Sequence, residues 1–200
     1  MAAAGLEVIV GSRSKPRACD ICIDLVERWP RHHLAIEGGD NVDAATADLV
    51  VVATPWDAAA PTAASVAEEL SGKVVISMAN ALVRVGNEFV PLIPPRGSIA
   101  AWIQDAVPTA KVSAALHHLP ARELGDISHE LQADVLLCSD HPEATKATAE
   151  LIDSIPGLRA VDAGSLSSAM AIESLTAVLL QVNARYKIRS SIRLTNLPLP

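Results

Sequence analysis

The 200 residues carry 16 Lys+Arg against 23 Asp+Glu, and a formal net charge of −7 argues against a general nucleic-acid binder, which needs a basic face. Hydrophobic residues make up 50% and charged residues 20%, enough apolar material for a buried core and too little charge for a disordered chain. With three Trp, one Tyr and one Phe, the core is built from Ala, Val, Leu and Ile, and stacking platforms for single-stranded nucleic acid are essentially absent.

Residues 1–7 lack the basic flank and long apolar stretch of a secretory signal, so a cytoplasmic chain is expected. Ala2-Ala3-Ala4-Gly5 reads as a last helical turn with a glycine cap, feeding a β-branched strand over 6–10. Gly11-Ser12 ends that strand. Apolar residues at Ala18, Ile21, Cys22, Leu25, Val26 and Trp29 then recur at helical spacing, with Ser14 as cap, Pro16 in the first turn and Pro30 as the stop. Leu34-Ala35-Ile36 leads into Gly38-Gly39, and the continuous run 49–53 predicts a strand buried on both faces. Thr54-Pro55-Trp56-Asp57 opens an Ala-rich helix to about Leu70, and a strand follows over 73–77. Residues 91–95 read as a proline-rich loop, 98–106 as a helix and 112–116 as a strand ending at His117-His118. Further along come a strand over 135–138, a helix from about 140 to 155, a strand over 158–161 and one long helix over 166–186.

This alternation predicts an α/β chain with a largely parallel sheet and helices on both faces. The most apolar stretch, 47–67, is broken by Asp48, Pro55, Asp57 and Pro61, so no membrane span is expected. Three cysteines suit a reducing compartment, and Cys19-x-x-Cys22 reads first as buried helix-face thiols and second as a redox or metal pair. Scattered histidines predict no metal site.

In a doubly wound sheet, ligands bind beyond the carboxyl ends of the strands. The first such turn, Gly11-Ser12-Arg13-Ser14-Lys15-Pro16-Arg17, places three cations at a helix start, where the macrodipole prefers anions. Two readings stay open from this turn alone: a solvated basic turn, or a site where Arg accommodates the extra phosphate of NADP. No G-x-G-x-x-G occurs among the 10 glycines. In the strand order 3-2-1-4-5-6 a strand is expected between those at 6–10 and 49–53, so the fold is expected to be incomplete at its N-terminus and hydride transfer impaired.

In order, Glu7 to Arg13, Ala53-Thr54-Pro55-Trp56, Ala115 to Ala121, Asp162 to Ser167 and Glu173-Ser174-Leu175-Thr176 resemble signatures of the NADP-dependent reductases of the deazaflavin coenzyme F-420. Ala58, Ser165 and Met170 depart from that family's pattern. The resemblance implies an NAD(P)-binding Rossmann-like fold, with an NADP-binding part over 1–110 and a deazaflavin-side part with the long helix over 111–200, packed as one compact unit. It implies direct hydride transfer between NADP(H) and coenzyme F-420, with no covalent nucleophile.

By the same resemblance Ser12, Arg13 and Arg17 hold the NADP phosphate, Lys15 adds charge, and Thr54, Pro55 and Trp56 border the adenosine and ribose. His117, Leu119, Pro120 and Ala121 line the nicotinamide, with His117 orienting a carboxamide or hydroxyl. Leu166 and Ser167 are cofactor-binding or, alternatively, the buried face of a helix, and a homodimer through the C-terminal region is implied. From the residues alone, His117-His118 reads equally as a polar strand end facing solvent. Arg185, Lys187, Arg189 and Arg193 read first as complements to a helix dipole and second as a landing strip for the acidic tail of the deazaflavin. Two alternatives to the F-420 reaction are a related NADP-dependent reductase of small imines or keto acids, and a non-catalytic paralogue that binds a ligand or partner.

Overall fold

Valines and leucines in unbroken runs build the centre of the molecule. In the computed structural model, which describes residues 1–197, five strands lie in the order β3-β4-β7-β8-β9: β3 (Leu49–Val52), β4 (Val74–Ser77), β7 (Lys111–Ala114), β8 (Ala133–Ser139) and β9 (Leu158–Asp162). A separate parallel pair, β1 (Val8–Ser12) and β2 (Ile36–Asp40), runs in register from Val8 beside Ile36 to Ser12 beside Asp40. Among the described residues only β2 pairs with β1 and only β4 with β3 on the facing side, so no strand joins the two sheets.

The α/β architecture expected from the alternation is observed, with three differences in the strands. First, β2 forms where only an approach to Gly38-Gly39 was read. Helix α1 (Lys15–Arg28) crosses so close to it that a Cβ on Gly38 would sit 2.4 Å from the Cys19 backbone nitrogen, so only glycine fits. Second, β8 runs antiparallel to β7, pairing Ser113 with Ser139, because the chain returns through a loop and the short α5 (Ala121–Leu124) instead of a long crossover helix. Third, β5 (Leu82–Val85) and β6 (Glu88–Pro91) form a hairpin just before the proline-rich loop, turned by Gly86 at φ 61° and Asn87.

Helices differ at their ends. Helix α3 (Trp56–Ala64) stops short of Leu70: Pro61 inside it has no N–H to donate, and the Ser65 hydroxyl donates to the Thr62 carbonyl at 2.7 Å. Ser14 precedes α1 without a side-chain cap bond; its own N–H donates to Ser12 Oγ at 3.2 Å. The short α2 (Asn41–Ala45) carries a capping box between Asp40 and Asp43. The long C-terminal element is a 3-10 turn over Leu166–Ser168 followed by α7 (Ala169–Tyr186). By length and composition Leu166–Tyr186 is apolar enough to cross a membrane, a property not read from the sequence; here it lies against α4 (Ile99–Ala106), β6 and β8.

One apolar cluster packs α3, α4 and the start of α7 against the sheet through Val75, Val112, Ile103 and Ile172. A second gathers Leu137, Val135, Leu158 and, from α6 (Pro142–Asp153), Ile152. Cys22 is buried, and the half-buried Cys19 thiol donates to the Gly38 carbonyl at 3.6 Å.

Candidate functional site

The turn after β1 keeps its cations unneutralised, with one exception. Lys15 Nζ pairs with Asp43 at 2.8 Å, and Asp43 is already engaged in the capping box. The first turn of α1 holds no acid, and Arg13 and Arg17 are exposed with no ion-pair or hydrogen-bond partner among the described residues. Ser12 is half-buried beside them. A hydroxyl, two unpaired guanidiniums and a helix N-terminus suit a phosphate monoester; Lys15 is turned to Asp43 and not to that site.

A second set of groups follows the parallel strands of the main sheet. In register, Val52, Ser77 and Ala114 stand side by side at the ends of β3, β4 and β7. Just there, Thr54 Oγ1, Ser77 Oγ and both ring nitrogens of His117 are buried without a hydrogen-bond partner. Buried polar atoms are satisfied in the great majority of cases, so a row of orphans at the carboxyl ends of three adjacent strands fits a polar ligand edge. Pro55 precedes the first turn of α3, and Trp56 packs on the core beneath.

His117 and His118 do not face solvent: both are buried. Burial, with His118 adding repulsion, pushes the His117 pKa down to about 3. His118 is lowered by burial too, opposed by its Nε2 contact with the Asp134 carbonyl at 3.0 Å. Both rings are therefore neutral at physiological pH, suited to hydrogen bonding and not to carrying charge. Leu119 is buried after them, Pro120 precedes α5, and Ala121 is exposed at its start.

Leu166 and Ser167 stand apart from this row. The Leu166 N–H donates to Asp140 at 2.9 Å, and because β8 runs antiparallel to β7, Asp140 lies toward the amino end of β7. Leu166 is buried in the first cluster, whereas Ser167 is exposed and its hydroxyl meets that of Ser165 at 2.7 Å. The C-terminal cations are partly spoken for: Arg189 pairs with Glu123 at 2.6 Å and Arg193 with Asp134 at 3.1 Å. Among the described residues no three His, Cys, Asp or Glu converge as a metal site.

Two buried carboxylates escaped the sequence reading in their roles. Glu173 of α7 accepts the N–H groups of Ile99 and Ala100 at 2.9 and 3.1 Å, capping α4 from another helix. Burial outweighs those donors and pushes its pKa up to about 7 from an ordinary 4.5. The fold therefore favours the neutral acid: its contribution is full below pH 4.5 and declines until about pH 7. Urea unfolding from pH 4 to 8 should show wild type losing stability relative to Glu173→Gln across that window; parallel profiles would contradict it. Asp134, the second, is placed between Arg159 and Arg193.

Similarity to known proteins bears on these features. The model of the family described as NADP oxidoreductase coenzyme F420-dependent matches residues 1–81. The F420-dependent NADP reductase of Methanocaldococcus jannaschii is 32% identical over 197 residues, covering 96% of this chain and 88% of that protein. The chain belongs to the F420-dependent NADP reductase family. Another member, from Methanothermobacter thermautotrophicus, is 34% identical over 213 residues, covering 98% of this chain and 88% of the relative. Among solved structures, a putative F420-dependent NADP-reductase from Arthrobacter sp. FB24 superposes with a TM-score of 0.77 at 26% identity, covering 97% of this chain and 93% of that one. Plasmodium falciparum pyrroline carboxylate reductase with NADP bound, at 12% identity and a TM-score of 0.52, covers 92% of this chain and 66% of its own and shares the fold alone.

Proposed function

We propose that this member of the F420-dependent NADP reductases transfers a hydride between NADP(H) and coenzyme F-420 in the cytoplasm. The observation that carries the reading is the match, over 96% of the chain, to a reductase named for both cofactors. When bound, the nicotinamide and deazaflavin rings supply the hydride chemistry themselves. The protein binds and orients. Ser12, Arg13 and Arg17 hold the 2′-phosphate, with Lys15 fixing Asp43 away from it; Thr54, Pro55 and Trp56 border the adenosine and ribose. His117, Leu119, Pro120 and Ala121 line the nicotinamide, where the neutral His117 ring offers one N–H donor and one acceptor to a carboxamide.

On this reading residues 1–110 carry the NADP side and 111–200 the deazaflavin side, and the two meet in the main sheet where β4 pairs with β7. Leu166 takes its alternative role as part of a buried helix face, because it lies in the first apolar cluster and apart from the His117 row. A homodimer forms through the C-terminal region, supported by a groove of about 510 Å³ between β6 and α7 and by the exposure of Met170 and Val178. Mixing the protein with NADPH and oxidised deazaflavin and following the deazaflavin absorbance tests the reaction. Slow bleaching is expected, because among the described residues no strand joins the β1–β2 pair to the main sheet; NADPH oxidation only with an imine or keto acid would replace the reading with another reductase, and binding without turnover with a non-catalytic one.

A further inference from the structure

Charge is distributed unevenly along this acidic chain. No Asp or Glu follows Glu173, whereas Arg185, Lys187, Arg189 and Arg193 all lie beyond it. Arg193 is taken by the buried Asp134, and Arg189 Nη1 meets Glu123 at 2.6 Å, which ties the segment after α7 to α5. Arg122 stands beside Glu123 on α5, so Arg122, Arg185 and Lys187 belong to one corner of the molecule. All three are exposed, with no ion-pair or hydrogen-bond partner among the described residues. The helix dipole accounts for Arg185 alone, which lies in the last turn of α7. Lys187 is past that end at φ 54°, a left-handed backbone in which glycine would close the helix without strain, so capping does not explain the lysine.

This corner adjoins the nicotinamide-side loop. Helix α5 starts directly after Pro120, and α7 passes the loop where Thr176 Oγ1 donates to the His117 carbonyl at 3.0 Å. At about 1.5 Å per helical residue, Arg185 lies roughly 14 Å further along α7. A deazaflavin ring held at the loop carries its phosphodiester and terminal carboxylates outward over a comparable distance. We propose that Arg122, Arg185 and Lys187 form a subsite for this anionic tail, with the Arg189–Glu123 bridge latching its two walls together. The subsite deepens the proposed function and rests on it for the place of the ring. On a chain of net charge −7, such a local positive corner also steers the tail inward before the ring docks.

The probes are coenzyme F-420 and 8-hydroxy-5-deazariboflavin, which shares its ring and ribityl chain but has neither phosphate nor carboxylate. Each is titrated in its oxidised form, by fluorescence quenching, into protein saturated with NADP+. Wild type should bind the tailed coenzyme roughly tenfold or more tightly, since each exposed cation contributes about two- to fivefold, and salt should erode that preference. The triple variant Arg122→Gln, Arg185→Gln, Lys187→Gln should lose both the preference and its salt dependence while it keeps the wild-type Tm. Equal affinities for the two deazaflavins in wild type, or a preference that survives in the variant, overturn the subsite. A lower Tm with the preference intact assigns the cations to the helix end, and lost binding to anionic lipid vesicles with the preference intact assigns them to a membrane surface; either result overturns it as well. A tail preference in wild type that shows no NADPH-driven bleaching upholds the subsite and removes the proposed hydride transfer, whereas binding of neither deazaflavin removes both.

Discussion

Arg13→Ala should weaken NADPH binding by roughly 10- to 100-fold and leave NADH almost unchanged, because charge-assisted hydrogen bonds to an ionised group are worth about 1.5–3 kcal/mol. The local charges make the case. Asp40 and Asp43 sit at the start of α2, level with Ser12 across the β1–β2 pair, and Lys15 is spent on Asp43. Arg13 and Arg17 therefore remain exposed beside a positive helix terminus with no protein anion of their own. A 2′-phosphate relieves that crowding, and NADH brings none. Lysine in place of Arg13 keeps the charge but loses the planar fork, so it should recover affinity only in part. Parallel titrations of both cofactors measure the effect. Equal losses for NADPH and NADH would show that Arg13 does not read the phosphate.

That turn was legible in the sequence because its signal is electrostatic and local: cations crowd a helix start within six residues of a strand end. Continuous runs such as Leu49–Val52 were equally plain. The same kind of run gave no direction to β8, since a strand buried on both faces reads alike either way, and only the length of its connection sets the sense. The β5–β6 hairpin was missed although Gly86-Asn87 is a turn pair, because each arm is four residues long and borders a proline-rich loop. The orphaned row at Thr54, Ser77 and His117 could not be read at all. Serine 77 ends an apolar strand like many others, and its isolation exists only once β3 and β7 flank it. The two readings of the C-terminal cations both missed the structural answer for Arg193, whose partner lies 59 residues earlier.

That partner gives the largest expected stability effect. Asp134 is fully buried, accepts Arg159 through Nε at 2.8 Å and Nη2 at 2.7 Å, takes Arg193 at 3.1 Å and receives the Leu194 N–H at 2.6 Å. One carboxylate thus pins β9 and the segment around Arg193 to the start of β8, where the Asp134 N–H also donates to the Ile192 carbonyl at 2.8 Å. Breaking a buried pair by removing one partner costs about 3–5 kcal/mol. Asp134→Asn belongs at the low end, because the Arg159 and Arg193 side chains are 21% and 43% exposed and keep some hydration. For a chain of this size about 3 kcal/mol lowers Tm by roughly 6–12 °C. The guanidinium of Arg159 holds the Asp134 carboxyl below its usual range. Its contribution is therefore complete above the unfolded carboxyl value near pH 4 and disappears as pH falls through the lower folded value. Thermal unfolding of wild type and Asp134→Asn should differ most at neutral pH and converge in acid. A gap that is absent at pH 7, or that persists unchanged in acid, would mean that the charge on Asp134 does not hold β8, β9 and the C-terminal segment together.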